Sequence, residues 1–214
     1  MHIVVAGATG ATGSLVLERA LTAGHRVTAL VRDASAAQLP PGVEVQQAQV
    51  VTDPDLTLPA DTDAVISALG SRTPKDPQPV CAPGTAHLVE ALGRLGGRRR
   101  LVVVSASPVH TTGAGEPWWF RYIARPLVRR VGGPLYDDIA AMEDVVRAAG
   151  PDCAWTIVRP GYLVDAGPTS YELLPERNAS TSACRIDLAD ALVTLAADDG
   201  AAGRSFGLTR GTAR

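Results

Sequence analysis

Lysine is almost absent from this chain of 214 residues. It occurs once, at Lys75, whereas arginine occurs 19 times. A catalytic site that needs a lysine ammonium group therefore has a single candidate in the whole sequence.

Cysteine is also scarce, and its three positions, Cys81, Cys153 and Cys184, are far apart. They form no CxxC pair and no zinc-type spacing with the four histidines. The sequence therefore predicts reduced thiols, a cytoplasmic location and no metal centre.

Long apolar runs and a strong charge of either sign are missing as well. No run is long enough to span a membrane, and Met1 leads into a strand-like stretch with no signal-peptide pattern. The net charge is -2, and the short basic run at 98–100 fits a solvated turn between a helix and a strand. We therefore expect a small-molecule ligand, no nucleic-acid or membrane partner, and a monomer or homodimer.

Alternating apolar strands and amphipathic helices make up most of the chain. This alternation predicts an α/β class with a Rossmann-type, doubly wound, mainly parallel sheet. We expect one domain over 1–214, with a small C-terminal lobe at about 108–134 and 161–186. The predicted strands are 2–6, 26–31, 43–51, 63–69, 101–105, 154–158 and 205–209, and the predicted helices are 11–23, 83–95, 117–131, 135–149 and 187–197.

A glycine-rich turn follows the first predicted strand at Gly7, Gly10 and Gly13. In such a turn the first glycine allows the tight bend, the second admits a pyrophosphate, and the third lets the helix pack against the strand. The helix that follows presents free N–H groups to phosphate. Because a strand precedes the turn and a helix follows it, the motif predicts a dinucleotide site rather than a plain structural turn.

A positive charge follows the second strand, where NAD-binding folds place a carboxylate for the ribose. The residue is Arg32, and its guanidinium suits a 2′-phosphate. This favours NADP(H) as the cofactor. The alternative is that Arg32 is a solvated charge and Asp33 binds the ribose.

The turn, together with Ala68-Leu69-Gly70 after the fourth strand and Ser105 after the fifth, resembles the short-chain dehydrogenase/reductase superfamily. Many of its enzymes use a Tyr-x-x-x-Lys pair, in which lysine lowers the tyrosine pKa. Tyr136 has a plausible position for that tyrosine, but Ala140 stands where lysine belongs. Catalysis of that form is therefore excluded.

The segments 137–149, 155–163 and 185–190 resemble an atypical branch of NAD(P)H-binding proteins. This branch includes biliverdin-IXβ/flavin reductases and nitrogen-metabolite-repression regulators. The resemblance implies NADPH as cofactor and a serine near the nicotinamide at Ser105. A Gly-Asp pair common in the family is replaced by Ala48-Gln49, but Gln49 can still bond adenine. The implied cofactor residues are Gly7, Thr9, Gly10, Ala11, Thr12, Gly13, Arg32, Gln49, Val50, Ala68, Leu69, Gly70 and Ser105.

Few residues are candidates for chemistry beyond the cofactor. The Ser105 hydroxyl could donate to a substrate carbonyl or orient the nicotinamide amide, and Tyr136 is a weak candidate proton donor. Glu143 is predicted to be solvated, and Arg159 either shapes a pocket or forms a salt bridge. His110 and the aromatic residues at 118–120 could enter the substrate region, although surface or packing roles are as plausible.

Two functions fit these features. One is an NADPH-dependent reductase that passes a hydride to a flat or carbonyl-bearing molecule, such as a flavin or quinone. The other is a sensor that binds NADP(H) and reports redox state without turnover. A missing tyrosine–lysine pair is compatible with both, because a flavin can take its proton from water.

Overall fold

The computed structural model describes residues 1–71, 78–109, 122, 133–179 and 181–211. His110, the aromatic residues at 118–120 and, apart from residue 122, the predicted helix at 117–131 therefore lie outside the described residues. The strands are β1 His2–Ala6, β2 Arg26–Val31, β3 Glu44–Gln47, β4 Ala64–Ser67, β5 Arg99–Val104, β6 Cys153–Pro160, β7 Leu163–Val164, β8 Tyr171–Pro175, β9 Ala183–Cys184 and β10 Arg204–Arg210. The helices are α1 Ala11–Thr22, α2 Cys81–Leu95, α3 Gly133–Ala148 and α4 Arg185–Ala197.

Within the described residues, eight strands form one sheet in the order β3-β2-β1-β4-β5-β6-β10-β8. All neighbours in this sheet are parallel except β8, which runs antiparallel to β10. Strands β7 and β9 form a separate parallel pair. The predicted Rossmann-type, mainly parallel sheet is thus confirmed.

Helices cover both faces of the sheet. Helices α1 and α4 pack on one face, and helices α2 and α3 pack on the other. Because both faces are covered, the central strands are continuous apolar runs with no polar alternation. Every residue of β1 is buried, and so is every residue of β4.

The structure differs from the sequence prediction at both edges of the sheet. Strand β3 ends at Gln47, because the chain turns at Gln49, whose carbonyl accepts from the Thr52 and Asp53 N–H groups. At the other edge, β8 adds an antiparallel strand within the segment 161–186, which was predicted to be a small lobe.

The basic run at 98–100 is not a solvated turn. Arg99 and Arg100 begin β5, and Arg100 is buried. Its guanidinium donates to the Leu195 carbonyl at 2.5 Å, near the end of α4. This arginine therefore links the sheet to α4 through a hydrogen bond. Its positive charge is also favourable there, because it lies near the carboxyl end of the helix.

The amino end of α2 is closed by a carboxylate from α3. Asp138 is buried and accepts from the backbone N–H groups of Val80, Cys81 and Ala82 at 2.8–2.9 Å. These groups have no partner within their own helix. Asp138 thus fixes the start of α2 relative to α3, and the same contact holds the residues that precede α2.

Candidate cofactor site

A cleft of about 560 Å³ opens at the carboxyl ends of the strands, beside the junction of β1 and β4. The strand order reverses at this junction, because β2 and β3 lie on one side and β4, β5 and β6 on the other. Doubly wound sheets bind dinucleotides at such a point. The cleft is lined by residues of the segments 7–10, 30–32, 48–52, 68–71 and 78–80.

Close backbone contacts at Gly7 and Gly13 build the floor of the cleft. Gly7 has a φ of +76°, and a Cβ there would lie 2.5 Å from the Ala68 carbonyl oxygen. A Cβ on Gly13 would lie 2.1 Å from the Gly7 carbonyl oxygen. Any larger residue would push the helix off the turn, so both positions need glycine.

The amino end of α1 leaves backbone donors free at this floor. Gly10 precedes the helix without a side-chain cap, and the first N–H bond within the helix comes from Ser14. The N–H groups of Ala11, Thr12 and Gly13 therefore have no partner in the helix. A cradle without side chains and with free N–H groups fits a diphosphate.

Helix α2 also begins at the cleft, but its donors are already occupied by Asp138. Residues 78–80, just before α2, form one wall. Of the two helices that begin at the cleft, α1 is thus the one that offers an anion free donors.

Arg32 follows β2 and lines the cleft at its β2 side. Its guanidinium is exposed and makes no hydrogen bond or ion pair with any residue that the structure describes. Asp33 is differently placed, because its carboxylate accepts from the Ser35 N–H, the Ser35 hydroxyl and the Ala36 N–H. These bonds lower the pKa of Asp33 and hold its carboxylate against its own turn.

The structure places the other predicted cofactor residues in five sets. Gln49 and Val50 line the cleft after β3, and Ala68, Leu69 and Gly70 line it after β4. Thr9 and Gly10 lie in the turn, whereas Ala11, Thr12 and Gly13 form the first turn of α1 behind it. Ser105 is outside the cleft lining and lies directly after β5, two strands from β1.

Ser105 is held by a buried ion pair between α3 and β6. The Ser105 hydroxyl donates to Glu143 at 2.5 Å. Arg159, which is completely buried, grips the same carboxylate with two bonds of 2.7 and 2.8 Å. Arg147, one turn further along α3, adds a bond of 2.7 Å. The prediction that Glu143 is solvated is therefore wrong. For Arg159, the sequence left open a pocket-shaping role or a salt bridge, and the structure shows the salt bridge.

The Glu143 carboxylate is ionised despite its burial. Burial alone would raise its pKa, but the hydrogen bonds and charge of Arg159, with bonds from Ser105 and Arg147, lower it to about 2. A carboxylate that receives several charged donors is strongly favoured in its ionised form. Glu143 is therefore a permanent acceptor.

The far side of Arg159 is anchored to the strand β10. Its Nη1 donates to the Ser205 hydroxyl at 3.1 Å, and Ser205 donates in turn to Glu176 at 2.7 Å. The ion pair thus joins α3, β6 and β10 through hydrogen bonds that fix the guanidinium in its plane.

Tyr136 lies on α3, seven residues before Glu143, and is half-buried. Burial raises its pKa, and its hydroxyl has no hydrogen-bond partner among the described residues. The described part of the chain places no cation beside it that would lower this pKa. Tyr136 remains a proposal for proton donation, and one that burial opposes.

The described residues contain no cluster of three or more metal-ligating side chains. All three thiols are free, and burial raises the pKa of Cys81 to about 12. The helices described are too short or too polar to cross a bilayer.

The fold and the cleft define a dinucleotide-binding protein of the Rossmann class. The sequence profile of a family described as NAD(P)H-binding matches residues 7–199. The chain belongs to this family.

Two curated relatives match much of the chain. One is an uncharacterised chloroplast protein of Arabidopsis thaliana, 33% identical over 177 residues, which cover 78% of this chain and 61% of that protein. The other is a 3-diazoavenalumate denitrifying reductase of a Streptomyces species, 32% identical over 204 residues, which cover 80% of this chain and 59% of that protein. The chain thus spans about three fifths of the length of these relatives.

Solved structures with less sequence similarity share the fold. An oxidoreductase of Lactococcus lactis has a TM-score of 0.80 at 19% identity, covering 99% of this chain and 91% of that one. A candidate NADH-flavin reductase of Streptococcus pneumoniae has a TM-score of 0.74 at 23% identity, covering 99% and 100%. An anaerobilin reductase of Escherichia coli has a TM-score of 0.73 at 19% identity, covering 100% and 99%.

Sequence reasoning missed two carboxylates on α3. Asp138 and Glu143 lie on the buried stripe of the helix, beside Met142 and Val146. The signal was available, because acidic residues at helical spacing with core residues must find partners when they are buried. What the sequence did not supply was the identity of those partners, which come from α2, β5 and β6.

Glu143 makes the free energy of unfolding depend on pH in the acid range. Its folded pKa of about 2 lies below its ordinary value of 4.5. The stabilisation from Glu143 is therefore complete above pH 4.5 and is lost as the pH falls towards 2. The free energy lost is on the order of 3 kcal/mol. The free energy of unfolding, measured with denaturant at each pH, should depend less steeply on pH in Glu143→Gln than in wild type. Glu90→Gln, at an exposed position on α2, should keep the wild-type slope, and parallel curves for all three proteins would contradict the assignment.

Proposed function

We propose that the protein is an NADPH-dependent reductase that passes a hydride to a flat small molecule. The observation that supports it most is the cleft, in which free N–H groups of α1 and the unpaired Arg32 lie on one edge of the sheet. The cradle suits the diphosphate, and the guanidinium suits the 2′-phosphate. When bound, NADPH supplies the hydride, and the chain supplies position and electrostatics.

The order of strands supports one direction for the cofactor. Arg32 follows β2, Gly7 follows β1, Ala68 follows β4 and Ser105 follows β5, and these strands are neighbours in that order. The adenosine would lie at Arg32 with Gln49 below it, and the diphosphate at the α1 turn. The nicotinamide would lie near the ends of β4 and β5.

The acceptors we propose are those that need no proton from the protein during hydride transfer. The Ser105 proton is bound to Glu143, and burial raises the pKa of Tyr136. A flavin or quinone fits this, because its reduced form takes a proton from water. An aryl diazonium ion fits as well, because its ring carbon accepts the hydride and N₂ leaves. The Streptomyces relative is named for a diazo substrate, which supports including this class.

Arg32 should set the preference for NADPH over NADH. Arg32→Ala removes charge-assisted bonds to the 2′-phosphate, so NADPH affinity should fall about 10- to 100-fold while NADH affinity stays the same. Titration calorimetry measures both. Arg98→Ala, an exposed arginine before β5 at the opposite edge of the sheet, is the matched control and should change neither affinity. An unchanged NADPH affinity in Arg32→Ala would show that Arg32 does not bind the 2′-phosphate and would contradict the proposed preference for NADPH.

A panel of acceptors tests the reductase itself. The protein is mixed with NADPH and, in turn, riboflavin, a benzoquinone, an aryl diazonium salt and an aliphatic aldehyde, and the nicotinamide absorbance is followed. We expect oxidation with at least one of the first three and none with the aldehyde, whose alkoxide must be protonated. Tight NADPH binding without oxidation by any acceptor would overturn the proposal and favour the redox-sensor alternative.

A further inference from the structure

We infer that Ser105 acts in the site as a hydrogen-bond acceptor and that it recognises the carboxamide N–H of the nicotinamide ring. This inference rests on the proposed function, because it concerns the same cofactor. From its position after β5, Ser105 was expected to donate a hydrogen bond to a carbonyl. We infer the opposite role, in which its hydroxyl oxygen accepts a hydrogen bond.

The direction of the bond between Ser105 and Glu143 follows from its partners. The carboxylate receives two bonds from Arg159 and one from Arg147, and guanidinium groups only donate. An ionised carboxylate only accepts. The two oxygens of Ser105 and Glu143 are 2.5 Å apart, and the proton between them must come from the serine.

Ser105 then has nothing left to donate. Its backbone N–H is bonded to the Val158 carbonyl at 2.8 Å, and its hydroxyl proton is bonded to Glu143. What remains on the hydroxyl oxygen is a free lone pair. Any group that binds this oxygen must therefore be a donor.

The hydroxyl cannot turn round at low cost. Ser105, Glu143 and Arg159 are all buried, so a rotated hydroxyl would leave a short bond to an ionised carboxylate unmade. Arg159 is itself fixed at its far end by Ser205. The network therefore holds the acceptor lone pair in a constant direction.

A nicotinamide ring offers such a site one conventional donor. Its carboxamide has an NH₂ group and a carbonyl, and the carbonyl would meet the serine lone pair unfavourably. An acceptor-only Ser105 therefore selects one rotamer of the carboxamide, with the NH₂ group towards β5. Since the carboxamide orientation sets how the ring lies, the buried ion pair would position the reactive face without touching it.

A cofactor analogue distinguishes a Ser105 that accepts from the carboxamide NH₂ group from a Ser105 that donates to the carboxamide carbonyl. Reduced 3-acetylpyridine adenine dinucleotide phosphate keeps the carbonyl and replaces the NH₂ group by methyl. Wild-type protein should bind NADPH about three- to tenfold more tightly than the analogue, the value of one neutral hydrogen bond. Ser105→Ala should weaken NADPH to the level of the analogue and leave analogue binding nearly unchanged. Titration calorimetry gives all four affinities without any turnover.

Thr62→Val is the matched control, because it removes a buried hydroxyl just before β4, at the opposite edge of the sheet and outside the hydrogen bonds of Arg159 and Glu143. It should keep the wild-type ratio between the two ligands, and circular dichroism should confirm that each variant is folded. If Ser105→Ala does not fold, Ser105→Cys replaces the oxygen by a weak acceptor and should narrow the ratio in the same way.

Other outcomes would overturn the inference. If Ser105→Ala weakened NADPH and the analogue equally, the serine would be donating to the carbonyl that both ligands share. If Thr62→Val narrowed the ratio between the two affinities as much as Ser105→Ala, the effect would be structural. If wild-type protein bound neither ligand, the proposed cofactor site itself would be wrong, and this inference would fall with it.

Discussion

The ion pair between Arg159 and Glu143 is the contact on which the site depends. Both groups are buried between α3 and the ends of β5 and β6, where an unpaired charge is expensive. The charge is tolerated because almost every direction around the carboxylate is filled by a donor, from Arg159, Arg147 and Ser105. Removing Arg159 would leave the buried Glu143 charge without its main partner, so α3 and β6 must keep their relative positions.

This constraint also decides what the site can do. A carboxylate held in this way accepts hydrogen bonds from its neighbours and has no proton to give. It also engages the hydroxyl hydrogen of Ser105, the serine that a dehydrogenase would use as a donor. Lysine is nearly absent from the chain, and Ala140 occupies the place of the usual catalytic lysine. In the function we propose, the described residues would hold and orient a cofactor and offer little acid–base chemistry, which suits acceptors that take protons from water.

The grouping of the candidate cofactor residues around one cleft could be predicted from sequence because its determinants are local. The strand, the turn at Gly7, Gly10 and Gly13 and the helix are consecutive, and Arg32 follows the next strand directly. The cleft brings the turn, Arg32, Gln49 and residues 68–70 together, as their places at the carboxyl ends of adjacent strands required.

The parts that were missed depend on contacts between distant residues. Strand β8 is an edge strand that pairs only with β10, and its antiparallel partner lies more than thirty residues away at Phe206–Arg210. The buried states of Asp138 and Glu143 depend on N–H groups and guanidiniums brought to them by other elements. No local pattern contains these partners, so the sequence alone predicted a solvated Glu143 and gave no role to Asp138.

The central claim is that hydride leaves a bound nicotinamide without a proton from the protein. A single-turnover reaction of enzyme-bound NADPH with excess riboflavin tests it most directly, with the hydride rate measured in H₂O, in D₂O and with NADPH deuterated at the transferred position. We expect the deuterated cofactor to slow the step and D₂O to leave it unchanged across the neutral pH range. A solvent isotope effect that disappears in Ser105→Ala would contradict the account, because it would show that the serine delivers a proton in the step.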